Sequence, residues 1–215
     1  MGKQRIMIIL AGTVAMFILM LLRKKRYQDV KAWKMALISI WLTISGVIGA
    51  MLMFFIETGE FGGTSFFGAI LFVPIIIIPA ILLKVPYGTL LDLCAPAESL
   101  MLAFMKMDCY LGDCCIGKYL PSLGFQFPSQ IVEMFVTLVI MAVLTEIEKK
   151  PKNKNTLYGW YLILYGATRF VLNWFRYGVK PFVWILPAGN FWSLVAIAAG
   201  IAWLAAVKSK KFSKK

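Results

Sequence analysis

The chain has 215 residues, of which 60% are apolar and only 15% charged, and its formal net charge is +13. At least six apolar stretches approach the length that crosses about 30 Å of hydrocarbon. The loops between them are short, and the longest, residues 106–127, leaves no room for a soluble domain. The sequence therefore predicts one integral membrane domain over residues 1–215.

Taken in chain order, the apolar stretches predict an all-α polytopic protein with seven transmembrane helices. The fourth helix has the weakest signal, because Asp92, Pro96 and Glu98 interrupt it. Pro74 and Pro79 are expected to bend the third. The predicted spans are Ile6–Leu22, Met35–Ile56, Ser65–Leu83, Tyr87–Met105, Ser129–Leu144, Leu157–Phe175 and Phe191–Val207.

The distribution of Lys and Arg predicts the orientation, since cytoplasmic loops of membrane proteins accumulate these residues. If the loop 23–34 is cytoplasmic, seven spans place sixteen Lys and Arg inside and six outside, with Arg169 within a span. The N-terminus is then outside and the C-terminus inside. The basic tail Lys208–Lys215 directly follows a span, which favours contact with anionic membrane lipids over binding of nucleic acid.

Four cysteines and the absence of histidine limit the metal chemistry of the chain. Cys109, Cys114 and Cys115 fall in a predicted outer loop and lack the paired C-x2-C spacing of a structural zinc site. We therefore predict neither a metal ion nor another cofactor. A disulfide from Cys109 to Cys114 or Cys115, or three inert thiols, remain the alternatives.

Polar and small residues gather in four segments that the predicted topology places at the outer membrane face. One segment opens the third span, one follows the fourth, one opens the fifth and one closes the sixth. The orientation rests on loop charges alone, so this convergence independently indicates a shared site. The segments are Gly62–Gly68, Lys106–Lys118, Phe127–Glu133 and Arg169–Arg176.

Arg169 is the most informative residue, because a charge at membrane depth is costly and therefore usually paired or functional. Arg169, Asn173 and Arg176 follow one another at i, i+4 and i+7, so they are predicted to share one helical face. Gln130 and Glu133, at i and i+3, are predicted to share another. Two such faces predict a polar cavity between the helices.

An outer cavity that contains Arg169, Arg176 and Lys106 suits an anionic phospholipid headgroup, because guanidinium groups bind phosphate oxygens through two hydrogen bonds. Simpler interpretations remain open. Glu133 and Arg169 may be read as a purely structural ion pair, Arg176 as a cation that reaches toward the membrane surface, and Gly68 as a site of close helix packing.

The same segments resemble the motifs of the prolipoprotein diacylglyceryl transferases of bacterial plasma membranes. The resemblance covers most of the chain and depends on five short strings that occur in the family's order. The strings are Asp92–Pro96 (Asp-Leu-Cys-Ala-Pro), Asp113–Lys118 (Asp-Cys-Cys-Ile-Gly-Lys), Phe127–Glu133 (Phe-Pro-Ser-Gln-Ile-Val-Glu), Arg169–Arg176 (Arg-Phe-Val-Leu-Asn-Trp-Phe-Arg) and Gly189–Ser193 (Gly-Asn-Phe-Trp-Ser).

The chain departs from the family pattern at positions that the family uses for chemistry. Phe67 stands where the family has a functionally important histidine, and Lys106 stands where it has an arginine that binds phospholipid. Asn173 stands where the family has a glutamate. Phe127 and Val132 replace a histidine and a tyrosine.

The resemblance implies transfer of the diacylglyceryl group of phosphatidylglycerol to the lipobox cysteine in the signal peptide of a secreted prolipoprotein, at the bacterial plasma membrane and without a cofactor. It implies that Arg169 holds the phosphate with help from Lys106. Glu133, together with Gln130, would orient Arg169 or the glycerol hydroxyls.

Two aspartates, Asp108 and Asp113, are candidate bases in place of the missing histidine. A paralogue that binds phospholipid or a membrane partner without turnover is the alternative function. A transporter is disfavoured, because the ionisable residues cluster at one face. The substrate-binding residues that the resemblance implies are Phe67, Gly68, Ser129, Gln130, Asn173 and Arg176.

Overall fold

A computed structural model of the chain describes residues 2–73, 83–122, 124–150, 153–178 and 181–212. These residues form seven α-helices and two antiparallel hairpins. The helices are α1 (Lys3–Leu22), α2 (Ala32–Thr58), α3 (Phe66–Leu71), α4 (Tyr87–Leu111), α5 (Ser129–Glu148), α6 (Leu157–Leu172) and α7 (Ala188–Phe212). The hairpins pair β1 (Tyr119–Leu120) with β2 (Phe125–Gln126) and β3 (Pro181–Val183) with β4 (Leu186–Pro187).

Five of these helices are long and apolar enough to cross a membrane, namely α1, α2, α4, α5 and the Ala188–Ser209 part of α7. The helix α6 has 16 residues and α3 has 6, fewer than the roughly 20 of a full span. Most of the predicted third span, with Pro74 and Pro79, lies outside the described residues. The predominantly helical fold with membrane-length helices is confirmed, and the count of seven spans and the orientation stay predictions.

The helix α4 lies at the centre of the bundle. About two thirds of its apolar window, 67%, is buried within the protein, against 22% for α1 and for α7. It packs most extensively on α5 and also contacts α1 and α6, and α6 packs along α7. The outer helices expose large apolar side chains such as Leu10, Ile44 and Val139, which suits surfaces that face lipid.

The helix α4 continues six residues beyond the predicted end of the fourth span at Met105, so the outer loop is shorter than predicted. Its last turns hold Lys106 and Asp108, whose charges led the sequence interpretation to begin a loop there. Both side chains are buried and paired, Lys106 with Glu133 and Asp108 with Arg5. Because a paired charge costs far less to bury than an isolated one, the helix extends through both residues.

The helix α6 ends at Leu172, three residues before the predicted end of the sixth span at Phe175. A 3-10 turn follows, and Arg176 then has extended backbone, with φ −88° and ψ 143°. The prediction that Arg176 continues the helical face of Arg169 and Asn173 is therefore wrong. A 3-10 turn has about three residues per turn, which shifts every later side chain around the axis.

Contacts between helix ends define two ends of the bundle. At one end, which we call the site end, Arg5 of α1 donates a 2.8 Å hydrogen bond to Asp108 of α4. At the other, which we call the basic end, Trp203 of α7 donates to the Asn155 carbonyl at 3.0 Å. The start of α1 is therefore joined to the end of α4 at the site end, and the segment before α6 is joined to α7 at the basic end.

The polar residues that weaken the signal of the fourth span each have a structural partner. The Asp92 carboxylate accepts hydrogen bonds from the backbone N–H groups of Asn155 at 2.5 Å and Leu157 at 2.9 Å, so it caps the start of α6. The Glu98 carboxylate lies 3.2 Å from the Tyr158 hydroxyl. The other oxygen of Glu98 has no hydrogen-bond partner among the described residues, so Asp92 is the better satisfied of the two buried acids.

Arg23, at the end of α1, joins three helices at the basic end. Its guanidinium donates to both carboxylate oxygens of Glu148 in α5, at 2.9 and 2.7 Å, and to the carbonyls of Asp92 and Leu93 in α4, both at 2.8 Å. The Asp92 carbonyl needs an outside donor because Pro96, four residues later in α4, has no N–H. An arginine from another helix thus fills the gap that a proline opens.

Replacement of Arg23 by methionine is expected to lower the melting temperature of the purified protein by several degrees, because Glu148 and the Asp92 carbonyl lose their donor. Removal of one partner of a buried ion pair costs about 3–5 kcal/mol. Restoring the backbone N–H with Pro96→Ala should reduce that loss in the double variant. Arg26→Met is the control, since Arg26 is more exposed and lies 4.0 Å from Glu148. Equal melting shifts in the Arg23 and Arg26 variants would contradict this account.

The predicted orientation can be tested by thiol labelling in intact cells. In a variant that lacks the four native cysteines, a cysteine at Glu60 or Ser122 should react with a membrane-impermeant reagent, and one at Lys154 should react only after lysis. All three positions are exposed in the structure. Labelling of a cysteine at position 154 in sealed cells would show that the predicted orientation is wrong.

Candidate functional site

Three charged side chains from three helices meet at the site end. Glu133, one turn into α5, directs one carboxylate oxygen at the Lys106 ammonium of α4 and the other at the Arg169 guanidinium of α6. All three are buried, with exposures of 5% or less. Glu133 lies on the buried face of α5 with Gln130 and Thr137, so the helical period itself directs it toward α4.

This ionic centre carries more positive than negative charge. Lys106 and Arg169 share a single carboxylate, and among the described residues Glu133 is their only ion-pair partner. Arg176 is close enough to add a third positive charge to the field at Glu133. Buried cations in excess of their counterions favour the binding of an anion.

The Arg169 guanidinium also retains hydrogen-bonding capacity. One terminal nitrogen donates to Glu133, and within the described part of the chain the buried Nε has no hydrogen-bond partner. The Lys106 ammonium, the other cation of the centre, lies over the Phe66 ring at 4.1 Å from the ring centroid. An arginine with a free donor beside a fixed lysine suits an oxyanion such as phosphate.

The loop between α4 and α5 is fixed to the end of α6 by a short ladder. Lys118 N–H donates to the Phe175 carbonyl at 2.7 Å, and Tyr177 N–H donates to the Ile116 carbonyl at 3.0 Å. Gly117 faces Arg176 across this ladder, where a Cβ atom at Gly117 would lie 2.0 Å from the Phe127 carbonyl oxygen. Only glycine fits there, and the ladder holds Arg176 at the rim of the ionic centre.

The first turn of α5 holds the other side of this loop. The Gln130 side chain donates to the Cys114 carbonyl at 2.8 Å, and the Ser129 hydroxyl donates to the Cys115 carbonyl at 2.6 Å. Both side chains were predicted to bind substrate. The structure uses them to position the cysteine loop above Glu133.

All four cysteines are free thiols in the structure, which thus forms neither of the disulfides that the sequence allowed. The sulfur atoms of Cys109, Cys114 and Cys115 nevertheless lie within 4.8 Å of one another. Asp113 and Cys115 have left-handed backbone, with φ of 47° and 60°, and this turns the loop back toward α4. We call these three thiols the thiol cluster.

The chemical state of Cys115 is set by its neighbours. A hydrogen bond from Cys109 lowers the pKa of the Cys115 thiol to about 5, against the opposing effect of burial. Lys106 and Arg176 add to the lowering. Burial raises the pKa of Cys114. The loop therefore holds one thiolate beside the ionic centre.

Phe67 and Gly68 stand at the start of α3, where sequence analysis expected substrate contacts. The Phe67 ring is buried and packs edge-on against Tyr165 of α6, with centroids 5.6 Å apart. A Cβ atom at Gly68 would lie 2.0 Å from the carbonyl oxygen of Gly49 in α2. The structure therefore supports the alternative that Gly68 allows close helix packing.

Asn173 joins α6 to α7. Its amide donates to the Asn190 side chain at 2.5 Å, and the Asn190 amide donates to the Phe170 carbonyl at 3.1 Å. Gly189 leaves room for this pair, since a Cβ atom there would lie 2.7 Å from the Asn173 side-chain oxygen. Asn173 thus contacts α7, and the structure does not bring it to Glu133.

The candidate base Asp108 faces away from Lys106. Its carboxylate forms the 2.8 Å ion pair with Arg5 of α1, and residues two positions apart on a helix point in nearly opposite directions. Asp113, the other candidate, lies exposed in the loop. The structure brings neither aspartate into the ionic centre.

Tyr165 and Asn190 are neighbours of the site that the sequence interpretation missed. Tyr165 precedes Arg169 by one helical turn, and within the described residues its buried hydroxyl has no hydrogen-bond partner. Asn190 holds Asn173. The position of Tyr165 four residues before Arg169 could have shown that it lies on the same helical face. The contact of Asn190 with Asn173 could not have been predicted, because it depends on how α7 packs on α6.

An apolar groove of about 390 Å³ runs between α5 and α6 on the membrane-facing surface. A much smaller cavity, about 10 Å³, lies beside Glu133 and Arg169 and shares Val136 and Thr168 with the groove. The groove and the small cavity beside the ionic centre therefore adjoin each other at these two residues. The walls of the groove include Val132, Phe135, Val136, Val139, Leu164 and Thr168.

A separate cavity of about 300 Å³ lies at the basic end, among Arg26, Lys84, Asp92, Glu148 and Lys154. Its acidic side chains are those that cap α6 and pair with Arg23. It contains none of the predicted site residues, so it does not belong to the site-end chemistry.

These features describe a helical membrane protein with a buried, cation-rich ionic centre at one end of its helices and an apolar groove beside it. The chain belongs to the prolipoprotein diacylglyceryl transferase family, whose model matches residues 5–206.

Individual relatives are distant and bear names of the same activity. A phosphatidylglycerol–prolipoprotein diacylglyceryl transferase of Clostridium tetani is 26% identical over 126 residues, which are 52% of this chain and 51% of the relative. One of Xanthomonas oryzae is 26% identical over 211 residues, covering 76% of this chain and 71% of the relative. One of Chlorobaculum tepidum is 31% identical over 139 residues, covering 56% and 47%. The chain thus spans about half the length of the C. tetani relative it matches.

Arg169→Lys is expected to weaken binding of glycerol 1-phosphate to the detergent-solubilised protein by at least about tenfold. A lysine keeps the charge but offers no planar fork, and one charge-assisted hydrogen bond is worth about 1.5–3 kcal/mol. Calorimetric titration measures the change. Arg5→Lys is the matched control, because it alters an arginine–carboxylate pair at the same end of the bundle. Similar affinities for the Arg169 and Arg5 variants would support a purely structural Glu133–Arg169 pair.

Proposed function

We propose that this protein transfers the diacylglyceryl group of phosphatidylglycerol to the lipobox cysteine of a prolipoprotein in a bacterial plasma membrane. The single observation that carries the proposal is the buried ionic centre, in which two cations share one carboxylate and Arg169 keeps an unused donor. The names of the family relatives support the substrates.

The ionic centre would serve the leaving group. In the proposed reaction the substrate sulfur attacks a glycerol carbon, the carbon–oxygen bond breaks, and glycerol phosphate departs with the bonding electrons. Arg169 and Lys106 would stabilise the phosphate as this charge develops, and Glu133 would keep both cations in position. Arg176 at the rim would attract the anionic headgroup before it is bound.

The lateral groove between α5 and α6 supports a lipid as the donor. Its walls are mostly apolar, and it shares Val136 and Thr168 with the small cavity beside Glu133 and Arg169. A phospholipid has the same arrangement of an apolar chain joined to a charged head. A water-soluble phosphate ester would have no use for the groove.

The free-energy cost of the missing histidine can be compared with the benefit of the retained Arg169. A thiol of pKa about 8.5 is a few per cent ionised at pH 7, so working without a base costs roughly 2 kcal/mol. An arginine on a departing phosphoryl group is worth about 10³ to 10⁵ in rate in nucleotide hydrolases, or roughly 4–7 kcal/mol. Retention of Arg169 therefore weighs more than replacement of the histidine by Phe67.

A second function, binding of phospholipid without turnover, is favoured by one specific observation. The position of the family histidine is occupied by the buried Phe67 ring, which packs on Tyr165 and offers no proton acceptor. The two functions share the anion site and differ in thiol activation. A transfer assay separates them.

The test is formation of a thioether-linked diacylglyceryl peptide from phosphatidylglycerol and a lipobox peptide by the protein reconstituted in vesicles. Mass spectrometry of the peptide should show the added lipid with the native protein and much less with Arg169→Lys. Release of glycerol phosphate should match peptide modification one for one. If the reconstituted protein binds phosphatidylglycerol but no thioether forms between pH 6 and 9, the protein is the binding paralogue.

Phe67→His is expected to raise the transfer rate at neutral pH and to flatten its rise toward alkaline pH. An imidazole at this position would lie against Tyr165 and accept the thiol proton, a contribution of about 10² to 10⁴ for well-positioned groups. The measurement is the pH–rate profile of both proteins, with Phe61→His at an exposed position as the control. An unchanged profile in Phe67→His would show that this position does not activate the thiol.

A further inference from the structure

The thiol cluster has no task in the ionic chemistry just described. Its three sulfur atoms already lie within 4.8 Å of one another. Three thiolates bound to one zinc ion at about 2.3 Å would be separated by about 3.8 Å in tetrahedral geometry. Small side-chain rotations are therefore enough to place all three on one ion.

The loop that carries two of these thiols is held in position by other parts of the site. Ser129 and Gln130 bind the carbonyls of Cys115 and Cys114 at 2.6 and 2.8 Å. Cys115 itself has left-handed backbone, with φ 60°, a conformation that costs free energy for a non-glycine residue. Cys109 comes from the rigid end of α4. The convergence is thus imposed by the fold and does not arise from a mobile loop.

The charges around the cluster suit a metal–thiolate complex. A divalent ion with three thiolates has a net charge of −1, and the charges of Lys106 and Arg176 favour negative charge at Cys115, against the opposing effect of Glu133. Sulfur ligands select soft ions such as Zn²⁺ over Mg²⁺ or Ca²⁺. Three protein ligands with a fourth position open is the arrangement of catalytic zinc.

We propose that Cys109, Cys114 and Cys115 bind one soft divalent ion of the zinc class and leave one coordination position open for an external thiol. That the external thiol is the lipobox cysteine rests on the proposed function. On binding, the thiol loses its proton to solvent and its sulfur keeps the electron pair as a metal-bound thiolate. The sulfur then bonds to the glycerol carbon, the carbon–oxygen bond breaks, and glycerol phosphate leaves with the bonding electrons. No atom is oxidised or reduced in this step. The site would supply the thiolate that a histidine supplies elsewhere in the family.

The metal site is tested with Co²⁺, which replaces Zn²⁺ at such sites and reports thiolate ligands by a sulfur-to-cobalt charge-transfer band. The native protein, purified under reducing conditions, should bind one Co²⁺ per chain, and Zn²⁺ should displace it. Cys109→Ser and Cys115→Ser should each weaken binding at least about tenfold, because each removes one of three ligands. Cys94→Ala is the matched control, since Cys94 lies buried in the middle of α4 outside the cluster.

A measurement on the native chain avoids dependence on how the variants fold. Zn²⁺ should protect Cys109, Cys114 and Cys115 from alkylation, as read by peptide mass spectrometry. Absence of the charge-transfer band, cobalt binding that survives Cys109→Ser, or a disulfide between two of the three thiols in the purified protein would each overturn the proposal.

The open coordination position has its own readout. Addition of a small thiol to the cobalt-loaded protein should increase the charge-transfer intensity by about one third, because a fourth thiolate joins three. No increase would show a closed site. The cobalt measurements use neither lipid nor peptide, so they do not depend on the proposed function. Cobalt binding without transfer activity would contradict the proposed function alone. Transfer activity in metal-free protein would contradict the metal site alone.

Discussion

The structure depends on the sharing of Glu133 by Lys106 and Arg169. Three helices, α4, α5 and α6, reach this carboxylate, and Glu133 is the ion-pair partner of both buried cations among the described residues. A lone cation in hydrocarbon would be expelled or neutralised. Sharing one carboxylate between two cations holds the helix ends together and still leaves positive charge for a ligand, so the contact that stabilises this end of the bundle also prepares it for an anion.

A comparable arrangement at the basic end does a different task. Arg23 and Glu148 have matched charges, and the remaining donors of the arginine go to the carbonyls of Asp92 and Leu93 beside the gap that Pro96 opens in α4. Each nitrogen of the Arg23 guanidinium therefore has a hydrogen-bond acceptor. The two ends of α4 therefore differ in how completely the buried arginine beside them is hydrogen-bonded, since the Arg169 Nε has no partner among the described residues.

The sequence predicted the helical membrane fold and the gathering of polar segments at one end, and it offered the pairing of Glu133 with Arg169 as an alternative, because these follow from apolar length, loop charge and helical period. It failed where the answer depended on a partner from elsewhere in the chain. Lys106 and Asp108 looked like the start of a loop because Glu133 and Arg5 are distant in sequence. The thiol cluster gave no metal prediction, since its spacing is irregular and its convergence depends on left-handed backbone at Asp113 and Cys115.

The direct backbone contact of Gly49 with Gly68 has a consequence for how this site can change over evolution. Because main chain touches main chain, the neighbouring position 67 has a fixed location relative to α2 whatever side chain it carries. A substitution there replaces one chemical group with another at the same point in space. The backbone contact itself therefore places no requirement on the side chain at position 67.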